Sequence, residues 1–173
     1  MKKILLLFIP LGLFFSCEKD NPDANISSDI NQSDNNNLET NCDSLFYIGS
    51  PQPKADTYLI ESGNMHSGNN CEYDLCYNFI ALNGDGVEFY FDLLLDVNYT
   101  TIEGLYQYSN NNDINSFTNY SYVENNYGTH DISSGELNIV YLNNNIYEIS
   151  FDGFIYGSTE VYGCFSGELS AIN

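Results

Sequence analysis

Three observations predict an all-β fold, an antiparallel β-sandwich with a partly closed β-barrel as the alternative. From Asp56 onward, short apolar and aromatic runs alternate with Gly/Asn turns, several runs show a period of two, and no segment sustains a helical repeat. The spacing cannot separate sandwich from barrel, but the uneven strand lengths favour the sandwich. Fifteen Tyr and eleven Phe suit half-buried strands of either kind.

The elements follow in order. DTYLIESG (56–63) reads as a strand, and LCYNFIAL (75–82) as a second. NGDG at Asn83–Gly86 supplies residues that tolerate positive φ, and VEFYFDLLLDV (87–97) follows, which makes this the strongest hairpin signal in the chain. In that second arm Val87, Phe89, Phe91, Leu93 and Leu95 share one face, while Glu88, Tyr90, Asp92 and Asp96 share the other, interrupted by Leu94. EGLYQYS (103–109) and FTNYSYVENNYG (117–128) give shorter strands around a polar run. SGELNIVYL (134–142) turns through Asn143–Asn145 into IYEISFDGFIYG (146–157), and STEVYGCFSGEL (158–169) closes the domain. In the last run Val161, Phe165 and Leu169 fall on one side, with glycines where strands bend or approach closely.

Domain organisation is set by the first forty residues. MKK followed by ILLLFIPLGLFF has the form of an export leader, too short to span a membrane comfortably, so residues 1–16 are read as a signal peptide. Residues 17–41 are dominated by Asn, Asp, Ser and Gln without a periodic apolar face and read as a disordered tether. Residues 42–173 remain as one all-β domain, large enough to bury its own core.

Charge excludes one class of partner. The chain has no Arg, and beyond residue 16 only Lys19 and Lys54 stand against all 24 acidic residues. Such a surface repels phosphate backbones, so no nucleic acid is expected. Four cysteines, Cys42, Cys71, Cys76 and Cys164, accompany the domain, and in an exported protein they predict up to two disulfides with three connectivities open. Their spacing does not fit zinc, and no metal or other cofactor is expected. Asn83, Asp85 and Glu88 are read as a turn with an acidic neighbour rather than as a weak calcium loop, because the remaining ligands of such a loop are missing.

Catalysis finds little foothold. His66 and His130 are the only histidines, there is no GxSxG elbow, and Glu88/Asp92 or Glu148/Asp152, four apart on their strands, lie too far apart to act as a pair. The expected role is therefore non-catalytic, with a glycoside hydrolase using cross-strand carboxylates as an alternative. Tyr106, Tyr120 and Tyr122, set among Asn and Ser, are the candidate binding residues, since tyrosine stacks on sugar faces or anchors a protein partner. The expectation is a module that binds a glycan or a surface protein. A structural or inhibitory protein without a small ligand is the other alternative.

Several motifs resemble those of bacterial lipoproteins. Ser16-Cys17 resembles a lipobox, which implies that Cys17 is acylated as the first mature residue and that the chain is anchored by lipid in the outer membrane. Glu18–Asn21 is similar to the surface-export signal of Bacteroidetes lipoproteins, which implies an outward-facing domain, the periplasmic face being the alternative. Asp43-Ser44-Leu45 resembles the O-glycosylation motif of that phylum, with Ser44 as acceptor. Gly104-Leu105-Tyr106, Gly135–Ile139, Tyr147–Gly153 and Gly163–Leu169 are similar to motifs of small all-β Bacteroidetes lipoproteins. That resemblance covers about 100 residues and implies the sheet and the cell envelope, with no catalytic residue to carry over.

Overall fold

The computed structural model describes residues 42–49, 55–66, 71–72 and 74–172. Residues 1–41, including Cys17 and the expected leader and tether, lie outside the described residues. The compact unit that holds the described residues runs from Leu38 to Asn173.

That unit is all-β. Its strands are β1 (Leu45–Ile48), β2 (Asp56–His66), β3 (Cys71–Glu72), β4 (Leu75–Gly84), β5 (Val87–Asp96), β6 (Gly104–Ser109), β7 (Ser116–Thr118), β8 (Tyr122–Asn125), β9 (Gly128–Asn143), β10 (Ile146–Ile155) and β11 (Thr159–Ala171). The expected hairpin is present: β4 and β5 pair in register from Gly84↔Val87 to Leu75↔Asp96, around the turn Asp85–Gly86. Three differences from the sequence reading stand out. β1 was not expected, because LFYI is too short to show a period. The run 117–128 divides into β7 and β8. β9 begins at Gly128, well before Ser134.

One continuous, mostly antiparallel sheet results, with β2–β11 and β6–β7 as parallel pairs. Its pairings run β4–β2–β1–β11–β10–β9–β6–β7–β5 and return to β4. Opposed walls pack as the layers of a sandwich do, with hydrogen bonds continuing around the edges. Phe89 of β5 meets Phe46 of β1 at 4.3 Å between ring centres, and Phe91 of β5 meets Phe151 of β10 at 5.2 Å. Phe117 of β7 completes an edge-to-face group with both Phe91 and Phe151. Around these rings the inward side chains of β4, β5, β9, β10 and β11 form one apolar core. Leu94 faces outward by parity yet is fully buried, where Asn115 and Ser116 run alongside it.

Two glycines show why the sheet can curl this tightly. Gly135 and Gly153 are register partners on β9 and β10, and a Cβ on either would collide with the other's backbone and with the ring of Phe151. Phe151 folds over the space that their missing side chains leave, an arrangement that supports strand glycines.

Both cysteine pairs lie at disulfide distance. Cys42 joins Cys164 on β11, Cα–Cα 5.7 Å, and Cys71 joins Cys76 across the β3–β4 pair, Cα–Cα 4.0 Å. The first closes a separation of 122 residues and the second only 5. Loop-closure entropy grows with the logarithm of loop length, so the long bridge restricts the unfolded chain more. Replacing Cys42 and Cys164 by Ala should lower urea-denaturation stability by about 2–4 kcal/mol, and replacing Cys71 and Cys76 should cost less. Equal losses would overturn this ranking.

Candidate functional site

The three tyrosines singled out from sequence do not converge. Tyr106 is only 2% exposed and is a core residue, which removes it from any surface site. The reason is pleat parity: on β6 its side chain takes the inward position, and its hydroxyl donates to the Ile102 carbonyl at 2.7 Å. Tyr120 lies between β7 and β8 and is 71% exposed. Tyr122 of β8 faces outward, half-buried, and donates to a Glu88 carboxylate oxygen at 2.8 Å.

Tyr122 ends an outer row of rings that crosses four strands: His66, Phe79, Tyr90 and Tyr122. Neighbouring centres are 4.9, 5.2 and 4.9 Å apart and the planes lie within 30° of parallel. The rings therefore cover each other's faces and present their rims outward. Such a row stabilises strand pairing, but it leaves a sugar little open ring face on which to stack.

A different group of side chains gathers at the hairpin tips. The β8–β9 turn is Asn126–Tyr127, and the β10–β11 turn opens with Tyr156–Gly157. Tyr127 is 81% exposed and Tyr156 64%. His130 of β9, 6% exposed, has its ring centre 4.5 Å from that of Tyr156. His130 Nε2 lies 3.2 Å from Asn125 Oδ1 and 3.4 Å from the Tyr156 hydroxyl. Asn125 Oδ1 also accepts the Tyr127 backbone N–H at 2.9 Å, which fixes it as an acceptor and assigns the imidazole proton to Nε2. His130 Nδ1 is buried without a partner. Tyr58 of β2 reaches the same group. Burial chiefly holds its phenol above the usual range, the charges of Asp56 and Tyr127 add to this, and a hydrogen bond with Asn125 opposes it.

Beside this group is a cleft of about 300 Å³ lined by Gly86, Val87, Glu88, Glu124, Asn125 and Asn126. Glu88 and Glu124 are register partners across β5–β8, which puts their Cβ atoms about 5 Å apart. Burial, then the hydrogen bond and charge of Glu88, with Glu124 adding to them, push the Tyr122 phenol well above its ordinary range. Tyr122 therefore stays a hydrogen-bond donor at neutral pH. The cleft offers the carboxylates of Glu88 and Glu124 and the amides of Asn125 and Asn126, and Asn125 links it to Tyr127 and His130. No Lys or Arg occurs among the described residues, and among them no three metal-ligating side chains come together.

The other sequence candidates are placed as follows. Ser44 sits at positive φ, half-buried, and its hydroxyl accepts the Ser166 N–H at 3.2 Å and donates to the Ser166 carbonyl at 3.4 Å, so a sugar on Ser44 has to displace that pairing. Asn83 and Glu88 face each other across the β4–β5 hairpin, with Asp85 in its turn. Sequence reasoning missed Asn125, Tyr127, His130 and Tyr156 as a group. A signal was present in the two Tyr-Gly pairs at 127–128 and 156–157. Tyr156 and Gly157 both have positive φ, 54° and 73°, as the central residues of a type I′ turn require, and a bulky residue is disfavoured at a position where Asn is usual.

Tyr106 gives a pH test. Burial, with Tyr99 nearby, pushes its phenol up to about 12. Below about pH 10 it is protonated whether folded or not. Above that the unfolded chain releases the proton first, so this part of the stability is lost as pH climbs toward 12. Urea midpoints measured across that window should fall with pH for the wild type and fall less steeply for Tyr106→Phe.

Compared with protein-family models, with curated proteins and with solved structures, the chain matches none, so the conclusion on its role rests on the geometry of this site.

Proposed function

We propose that the chain is a non-catalytic cell-envelope lipoprotein whose domain binds a glycan at the hairpin tips. The observation that carries this reading is the pair of open tyrosines, Tyr127 and Tyr156, each tied to the Asn125–His130 contact, which shares Asn125 with the Glu88/Glu124 cleft. Phenol faces take the C–H faces of a sugar, and carboxylates and amides take its hydroxyls. With no Lys or Arg among the described residues and Glu88 and Glu124 in the cleft, the site suits a glycan that is uncharged or carries amino groups better than an acidic one. Acylation of Cys17 and an outward-facing position in the outer membrane complete the reading, supported by the order of basic start, apolar run, Ser16-Cys17 and polar segment.

A surface-protein partner is the second reading. It is favoured by the outer row His66–Phe79–Tyr90–Tyr122, whose rims suit a flat aromatic contact better than a sugar.

Glycan binding is tested on arrays of neutral, amino and acidic oligosaccharides. Tyr127→Ala should weaken binding at least about fivefold, the loss of roughly 1 kcal/mol of stacking. Tyr156→Asn should weaken it similarly while leaving stability unchanged or raising it by up to about 1 kcal/mol, because Asn suits the positive-φ turn better. Tyr120→Ala should change neither. Binding that survives both tip substitutions sinks the site, and release of new reducing ends from a bound oligosaccharide supports the hydrolase alternative.

The anchor is tested separately. Cys17→Ser should move the chain from the membrane to a soluble fraction and remove metabolic lipid label. A variant that stays membrane-bound speaks against acylation.

A further inference from the structure

The end of the sheet away from the hairpin tips carries a second opening. β5 runs from Val87 beside the tips to Asp96, and the segment after it returns across this far end, Tyr99 N–H donating to the Asp96 carbonyl at 2.9 Å. There, Met65 of β2, Tyr99, Thr100, Thr101 and Ile102 of the β5–β6 connection and Tyr147 of β10 line a pocket of about 370 Å³. This falls in the range of small-molecule pockets, and the mouth of a curled sheet is a common place for one.

Hydrogen bonds brace the rim of the pocket, and its walls are neutral. Tyr106, from inside the core, holds the Ile102 carbonyl at 2.7 Å, and Thr101 Oγ1 accepts the Glu103 N–H at 3.1 Å. The walls are two phenol rings, a thioether, an isoleucine and two threonines. Burial first, then the neighbouring Tyr141 and Glu103, hold the Tyr147 phenol above its ordinary range and so keep it uncharged.

One atom behind the wall is unmatched. The ring of Tyr99 lines the pocket, and its hydroxyl donates to Asn78 Oδ1 at 3.1 Å. Asn78 is 1% exposed, on the inward face of β4. Its Nδ2 is buried and meets no acceptor. A buried amide donor left unpaired is costly, and such groups are rare enough in native proteins to call for an explanation.

We propose that this pocket binds a small uncharged molecule, an apolar ring or short chain bearing one carbonyl-type oxygen, which enters beside Tyr99 and accepts the free Asn78 N–H. An anion finds no Lys or Arg among the described residues, and a wholly apolar compound leaves the amide unmatched. The site lies at the opposite end from the proposed glycan site and does not depend on it.

Methionine supplies the reporter, since the chain has only two, and Met1 belongs to the expected leader. With the full chain labelled at the methionine methyls, cyclohexanone should shift the Met65 resonance saturably. Methylenecyclohexane, of the same shape without the oxygen, should bind about five- to tenfold more weakly, the worth of one hydrogen bond. Asn78→Leu should erase that difference while still binding both compounds. Thr101→Trp, an exposed substitution that fills the pocket without touching the core, should abolish both shifts even if Asn78→Leu fails to fold. No saturable shift, equal affinities in the wild type, a preference that persists in Asn78→Leu, or binding that survives Thr101→Trp would each overturn the proposal.

Discussion

The fold depends on strand β5 changing partners halfway along its length. Its first half pairs with β8 through Val87–Tyr90, and its second half pairs with β7 through Leu93 and Leu94. β9 makes the matching change, from β8 near Gly128–Asp131 to β6 near Glu136–Ile139. Between the two halves the chain must cross from β7 to β8, and backbone groups there lose their ladder partners, a cost that has to be met by other hydrogen bonds. Asp92 and Ser121 meet it. The Asp92 carboxylate accepts the Thr118 hydroxyl at 2.6 Å, Ser121 Oγ accepts the Asp92 N–H at 2.9 Å, and the Ser121 carbonyl accepts the Ile132 N–H at 3.1 Å. Burial at this crossing holds the Asp92 carboxyl above its usual range, against the opposing Thr118 bond. Because the seam is closed this way, the wall carrying Phe91 and Phe117 comes to face the wall carrying Phe151.

Closure also decides where function can reside. A sheet whose pairings return on themselves keeps few strand edges for recruiting a partner strand. What remains is the outer face and the two ends. The outer face bears a self-covering row of rings, whereas the ends bear unsatisfied or strained groups: His130 Nδ1 and the positive-φ Tyr156 at one, Asn78 Nδ2 at the other. Strain and unmatched polarity concentrate where surrounding structure overdetermines them and where binding gives them a use.

Electrostatics has a one-sided role. Without a Lys or Arg among the described residues, no carboxylate there can be offset by one, and cohesion rests on apolar burial, ladder hydrogen bonds and cross-links. Acidic groups that approach each other, such as Glu88 and Glu124, are softened by a phenol donor instead of a cation.

The sequence alone determined the class of fold and much of the strand pattern, because a period of two is local: the inward residues of Val87–Asp96 are buried and the outward ones half-exposed as parity assigns, except that Leu94 is covered on its outward face. The Asp85–Gly86 turn was equally legible, since turn chemistry lies within four residues. The tertiary structure alone decided closure, the pairing of Cys42 with Cys164, and which tyrosines are open. Those outcomes rest on contacts between residues as much as 122 apart, where no local period carries information. Tyr106 and Tyr122 look alike in sequence, each a member of a Tyr-x-Tyr pair. One points into the core and the other out of it, because β6 and β8 enter the sheet with opposite pleat, and only the partners on β9 set that phase.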